Sequence, residues 1–254
     1  MYHKNYICGH VIETTILERV NGAALNWRKL DKDMMINIET GEVKEIQHNS
    51  NRDSKESLRQ TIKKLRMIIN ANFFGAKNEL FITLTYAENM QDTKRLYKDF
   101  DKFMKKLKRR FKDLQFEYIA CVEPQERGAW HVHLLLKADV EELYIENELI
   151  AELWGQGFTK TQRLLQVDNV GAYLSAYLIN DGDKKGQRLY YYPAGVNIYR
   201  CSKGIRRPKV LIGDMCIGDR HKVYEKTYDI VADDEVVNKV TIRQYNLMRD
   251  VGGG

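Results

Sequence analysis

Two histidines flank a valine in His131-Val132-His133, within a run, Trp130 to Lys137, that reads as a β-strand. Side chains alternate along a strand, so both imidazoles face one side. Such a pair can grip a divalent cation. The plainer reading is two half-buried histidines bonded to backbone or water. In a chain with six histidines an H-x-H arises by chance at a rate of about 10%, so the pair needs support from its surroundings. Glu123 supplies it, at the end of the preceding predicted strand, Phe116 to Glu123. If Pro124 to Ala129 turns the chain into a hairpin, Glu123 returns beside the histidines. A carboxylate with two imidazoles suits Mg²⁺ or Mn²⁺ and leaves positions for water and a phosphate oxygen. Zn²⁺ accepts the same ligands, so the set does not choose the metal. A solvated strand end is the plain alternative for Glu123, and Gln125 and Glu126 in the turn are less favourably placed competitors.

A second feature is Tyr173-Leu-Ser-Ala-Tyr177 in a segment of helical character. Residues four apart share a helix face, so the phenols stand one turn apart. Alone, such a pair is usually core or amphipathic surface. Beside a metal that polarises a scissile phosphate, a phenol becomes a usable nucleophile. Two of them suit two successive transfers, with Tyr173 expected to open the sequence and Tyr177 to assist. A third feature is basicity. Lys98, Lys102, Lys105, Lys106, Lys108, Arg109, Arg110 and Lys112 line one expected helix, which is equally well an ordinary solvated face. Lys203, Arg206 and Arg207 lie within Arg200 to Lys209, with Tyr190, Tyr191, Tyr192 and Tyr199 nearby. Cations mixed with aromatics can follow a nucleic-acid backbone while stacking bases. Arg127, in the hairpin turn, joins these as a DNA-binding candidate.

The elements that must position these groups follow from periodicity. Asp53 and Glu56 have capping-box spacing before a helix to about Asn72, whose Leu58, Ile62, Leu65, Ile69 and Phe73 form one stripe. Gly75 to Asn78 breaks it, and Leu80 to Tyr86 is β-rich. Leu96, Phe100, Phe103, Met104, Leu107 and Phe111 mark a helix over roughly Asp92 to Lys112. After the hairpin, Glu141 to Trp154 has helical spacing, Phe158 to Leu165 reads as a strand, and Asp168 or Asn169 caps a helix to about Asn180. The order from residue 80, β-α-β-β-α-β-α, predicts an α+β fold: a central antiparallel sheet with helices packed on it, as in ferredoxin-like folds. Tyr6 to Leu17, Lys222 to Val231 and Val237 to Asn246 are β-like, and the terminal Gly252-Gly253-Gly254 reads as a flexible end.

The chain's 254 residues are 43% hydrophobic, enough to bury a core, and 41 Lys plus Arg against 35 Asp plus Glu give a formal charge of +6. That balance favours a polyanionic partner only weakly. The four cysteines contain no C-x-x-C pair, which argues against a zinc ribbon, and scattered single cysteines suit a reducing compartment. There is no membrane-length apolar run and no signal-peptide pattern, so a cytoplasmic location, in a bacterial host cell, is expected, without a membrane partner.

FITLTY, EPQERGAWHVHLLL and NVGAYLSAYL resemble, in that order, the three motifs of the HUH endonucleases, and RLYYYPAGVNIYRCSKGIRRP also looks like the phage and plasmid rolling-circle initiators of that superfamily. The resemblance covers about residues 80 to 209. It implies a sheet-centred nuclease core of ferredoxin-like or RRM-like type, with Mg²⁺ or Mn²⁺ held by Glu123, His131 and His133. It implies a tyrosine nucleophile, Tyr173 or Tyr177, that forms a 5′-phosphotyrosine link and frees a 3′-hydroxyl. On this reading residues 1–75 are N-terminal strands and a helix packed on the core, 76–209 the nuclease domain, and 210–254 a β-rich extension. The expected substrate is single-stranded DNA or an origin hairpin. No G-x-x-x-x-G-K-[ST] loop occurs, so a host helicase and polymerase would be partners. One departure stands out: many relatives carry a lysine three residues after the first tyrosine, where this chain has Ala176, and the same offset from Tyr177 is Asn180. A transposase or conjugative relaxase of the same superfamily, or a non-catalytic DNA-binding relative, are the alternatives.

Overall fold

The structure is a computed structural model that describes residues 1–20, 26–31, 33–46, 55–193, 195–232 and 234–249. Asp53, the side chain of Glu56 and the terminal glycines lie outside the described residues, and with them the expected capping box and the expected end. The chain divides into two compact units, one of Met1–Ile7, Ile12–Ser57 and Lys209–Gly254, the other of Cys8–Val11 and Leu58–Pro208. The elements run β1 (Tyr2–Cys8), β2 (Val11–Leu17), β3 (Trp27–Lys29), β4 (Met34–Asn37), β5 (Val43–Glu45), α1 (Lys55–Asn70) and β6 (Glu79–Leu84). They continue with α2 (Thr93–Arg110), β7 (Phe116–Pro124), β8 (Trp130–Ala138), α3 (Asn147–Trp154), β9 (Thr159–Gln162) and α4 (Val170–Ile179). A 3-10 turn at Gln187–Tyr190 precedes β10 (Tyr199–Cys201), β11 (Lys209–Ile212), β12 (Lys222–Ala232) and β13 (Glu235–Asn246).

From β6 to α4 the order is β-α-β-β-α-β-α, and the fold is α+β with antiparallel sheets and helices packed on them. The second unit is built on the sheet β10-β7-β8-β6-β9, every neighbouring pair antiparallel. Its two faces follow from residue parity. Leu80, Ile82 and Leu84 with Val132, Leu134 and Leu136 pack on Leu96, Phe100, Phe103 and Leu107 of α2 and on Trp154 of α3. Phe81, Ile119, Cys121 and Leu135 point the other way, onto Ile62, Leu65 and Ile69 of α1 and Leu174 and Leu178 of α4. A sheet covered on both sides explains why its central strands read as near-continuous apolar runs. Each fully buried Leu, Ile or Phe contributes about 1.5–3 kcal/mol relative to exposure, so three buried apolar residues of α4, Val170, Leu174 and Leu178, fix the helix firmly on its face.

Local signals set the helix starts. The Asp92 carboxylate accepts from Lys94 N and Arg95 N, and the Asn169 side chain accepts from Ala172 N. The helix expected over Glu141 to Trp154 is shorter, Asn147–Trp154. Leu143 and Ile145 are both buried two residues apart, the extended pattern, and Leu143 N–H bonds the carbonyl of Lys77. The strand expected over Phe158 to Leu165 narrows to β9, because Leu164 and Val167 close a turn through a backbone hydrogen bond. In the first unit, strands from both ends of the sequence share one sheet, β11-β1-β2-β13-β12, and β3-β4-β5 form a small separate sheet. Among the described residues no helix is long and apolar enough to cross a membrane.

Candidate active site

The hairpin of β7 and β8 pairs Glu123 with His131 and Cys121 with His133. Directly paired residues share a face, so all four point toward the α4 side of the sheet. Across β8, His133 pairs with Thr83 of β6, and Thr83 with Lys160 of β9. Along this face the apolar row of Leu135 and Phe81 gives way to His133 and Thr83, and then to His131, at the sheet end where α4 no longer covers it. The result is an open cleft of about 600 Å³ whose lining includes Glu123, His131, His133, Tyr177 and Lys160.

Glu123 is 3% exposed, and its carboxylate touches both the His133 Nε2 and the Arg188 guanidinium. His131 Nδ1 stands 3.9 Å from the same carboxylate oxygen that meets His133. Thr83 Oγ1 lies 3.3 Å from His133 Nδ1 and fixes the ring from behind. Gln125 Nε2 donates to Glu123 Oε1 at 2.8 Å and lies 3.3 Å from His131 Nδ1. Burial raises the Glu123 carboxyl, but His133, Arg188 and His131 together outweigh it and hold the group below the usual carboxylate value. Burial lowers His131, against the pull of Glu123, which keeps its ring neutral and its lone pair free near pH 7.

Two neutral imidazoles and an ionised carboxylate are a fitting donor set for a hard or borderline divalent cation. Among the described residues no three His, Cys, Asp or Glu side chains already surround a common ion position. Here Glu123 contacts His133 more closely than the about 3 Å between neighbouring donors around an octahedral ion with ~2.1 Å bonds, so a cation enters by displacing that contact.

The tyrosines come from α4. Their hydroxyls are 3.0 Å apart, and the Tyr177 ring lies 5.1 Å from the His133 ring, centroid to centroid. Phe81, fully buried, stacks on His133 and packs against both tyrosine rings, so one core side chain sets the spacing of all three. Tyr177 is 37% exposed and lines the cleft, whereas Tyr173 is partly buried beside Phe81 and reaches Tyr177 through its hydroxyl. The hydrogen bond to Tyr173 is the largest cause that pushes the Tyr177 pKa up, to about 12, with burial adding to it. Asn70 seats the helix start: buried, it accepts from Gly171 N at 2.7 Å and donates to Asn169 Oδ1 at 2.9 Å. Gly171 must lack a side chain, since a Cβ would lie 2.4 Å from the Arg66 carbonyl.

Residues 79–182 match the family model for the replication-associated proteins of the ORF2 type. No curated protein and no solved structure matches the chain. The matched stretch opens at the first residue of β6 and closes just beyond α4, so it holds Glu123, both histidines and both tyrosines. That stretch is similar to replication-associated proteins, and the likeness supports a role in replication initiation.

The cations named from the sequence do not gather at the cleft. Arg127 is exposed in the hairpin turn, where its carbonyl accepts from Asn89 and Gln91 side chains. Lys203, Arg206 and Arg207 follow β10, whose register with β7 carries the chain from Cys121 toward Ile119 and away from Glu123. Gly204 packs against Glu117, six residues along β7 from Glu123 and thus about 20 Å away. The basic residues of α2 belong to the helix on the opposite face of the sheet.

Sequence reasoning missed Arg188 altogether. It is buried, ion-pairs with Glu123 and, at 3.0 Å, with Asp181, and donates to the carbonyls of Asn180 at 2.7 Å and Pro124 at 3.2 Å. It therefore ties the carboxylate's strand to the end of the tyrosine helix. Nothing in its local spacing marks it.

Proposed function

We propose that the chain is a rolling-circle replication initiator of phage or plasmid type, a site-specific single-strand DNA endonuclease and strand transferase. The observation that carries this reading is the Tyr177 phenol against His133, in one cleft with Glu123 and His131. Bound by Glu123, His131 and His133, Mg²⁺ or Mn²⁺ would supply Lewis-acid polarisation of the scissile phosphate. The position of Tyr177 in the cleft supports it, rather than Tyr173, as the first nucleophile. Its oxygen forms a bond to phosphorus while the bond from phosphorus to the 3′ oxygen breaks. The phenol loses its proton and the departing 3′ oxygen gains one, which leaves a 5′-phosphotyrosine and a free 3′-hydroxyl. Tyr173 orients the Tyr177 hydroxyl and is spaced for a second transfer. Arg188 and Gln125 hold the Glu123 carboxylate in place.

The test is incubation of the protein with origin oligonucleotides and Mn²⁺, followed by mass spectrometry of the nucleotide-modified peptide. The modification is expected on Tyr177 and is lost in His131→Ala. Adduct that persists in a Tyr173→Phe, Tyr177→Phe double variant sinks the tyrosine assignment. A hydrolase that works through activated water would instead release free 5′-phosphate with no protein–DNA linkage.

A further inference from the structure

The edge strand β9 carries an aromatic and a cation that the reaction above leaves unused. Phe158, just before β9, is 83% exposed and lines the cleft. Lys160 shares its face two residues on, roughly 6.5 Å along the strand, and no carboxylate among the described residues pairs with it. Through Thr83, Lys160 stands two strands, about 10 Å, from the backbone of His133.

The exposed ring is on a fixed backbone. The Phe158 carbonyl accepts from both the Thr85 N–H and the Thr85 hydroxyl, each at 2.9 Å. Trp154 Nε1 donates to the Thr85 carbonyl at 2.7 Å, and Ala87 N–H to that of Gln156 at 2.9 Å. Gly157 lets the two segments approach this closely, since a Cβ there would lie 2.4 Å from Ala87 N. A single exposed apolar side chain is ordinary on a protein surface. This one is clamped, faces the cleft, and has an unpaired cation as its neighbour on the same face.

We infer that Phe158 and Lys160 form a single-stranded DNA track beside the metal-ligand residues, Phe158 stacking a base and Lys160 holding a phosphate of the nucleotides next to the scissile one. The inference rests on the proposed nuclease reading for its substrate. It gives the cleft a cation from a strand, where Ala176 leaves the helix without one. An aromatic face stacks any base, so the track supplies grip and register rather than sequence choice.

The probe is a fluorescein-labelled, mixed-sequence single-stranded oligodeoxynucleotide of about 20 nucleotides, long enough to fill a site of the usual 4–16 nucleotide span. Binding to the full chain is followed by anisotropy in EDTA across a salt series. Phe158→Ala is expected to raise Kd about tenfold or more, the usual loss for one stacked base. Phe158→Trp should bind as wild type does, with tryptophan emission that quenches on DNA binding. Lys160→Gln should flatten the slope of log Kd against log salt by about 0.7, the contribution of one phosphate contact on a single strand, and Lys160→Arg should restore it. A Kd within twofold of wild type in Phe158→Ala, or an unchanged salt slope in Lys160→Gln, overturns the track. Either result alongside Mn²⁺-dependent adduct formation leaves the nuclease reading standing. Phe158- and Lys160-dependent binding without any adduct supports the track and removes the strand-transfer reading.

Discussion

Tyr177 and Tyr173 differ in what their hydroxyls face, and that difference assigns their work. Tyr177 reaches the cleft, and its hydrogen bond to Tyr173 helps raise its pKa to about 12. A raised phenol pKa means little phenolate at neutral pH, and the phenolate fraction grows tenfold with each pH unit below the pKa. If attack needs that form, the initial rate of adduct formation should climb throughout pH 7 to about 10. Tyr173→Phe removes the first cause of the shift, so its pH–rate curve should move to lower pH, while Tyr177→Phe should lower the rate by about a hundredfold or more at every pH. Rates measured on denaturing gels across that range decide it. A Tyr173→Phe curve that does not move, or moves to higher pH, overturns the orienting role. The site residues legible in the sequence were those whose geometry is local: an H-x-H on one strand, a glutamate one turn away, tyrosines four apart. Arg188 and Gln125 were not legible, because their value lies in partners brought together by the fold rather than in their own spacing.

At the level of elements, the site is a hairpin and a helix held at a fixed offset. The hairpin register aligns Glu123 with the histidines, and α4 is held by its buried leucines, by Arg188 at its end and by Asn70 at its start. Asn70→Ala removes the acceptor for Gly171 N and a donor to Asn169, in a place where water cannot substitute. The cost is expected at about 1–3 kcal/mol, as for other buried polar groups left unpaired. Chemical denaturation measures that loss, and adduct yield should fall further than stability does, because the start of the tyrosine helix is free to shift. Full adduct yield at unchanged stability would show that α4 needs no such anchor. The helix and strand order was readable because every element from β6 to α4 carries its own period or cap. The over-long helix at Glu141 was misread for a related reason: Leu143 and Ile145 contribute apolar positions that fit a helical stripe, although their burial belongs to an extended segment hydrogen-bonded to Lys77.

On the scale of the whole molecule, the candidate ligands, the tyrosines and the β9 track all lie in Leu58–Pro208, while strands from both chain ends make a sheet of their own. That second arrangement was invisible in the sequence, because a pairing such as Lys4 with Ile212 spans most of the chain and leaves no local mark. It sets an asymmetric expectation for a variant that ends at Pro208. Loss of β11 and β13 strips β1 and β2 of their outer neighbours and exposes strand edges, which pair readily with other chains. The truncated protein should therefore elute as aggregates in size-exclusion chromatography. Its remaining soluble fraction should still form the Mn²⁺-dependent adduct, since every residue assigned to the reaction and each backbone contact that fixes it is retained. A monodisperse truncation would mean that the first two strands are stable without their distant partners, and a soluble but inactive one would mean that the terminal sheet contributes to the chemistry itself.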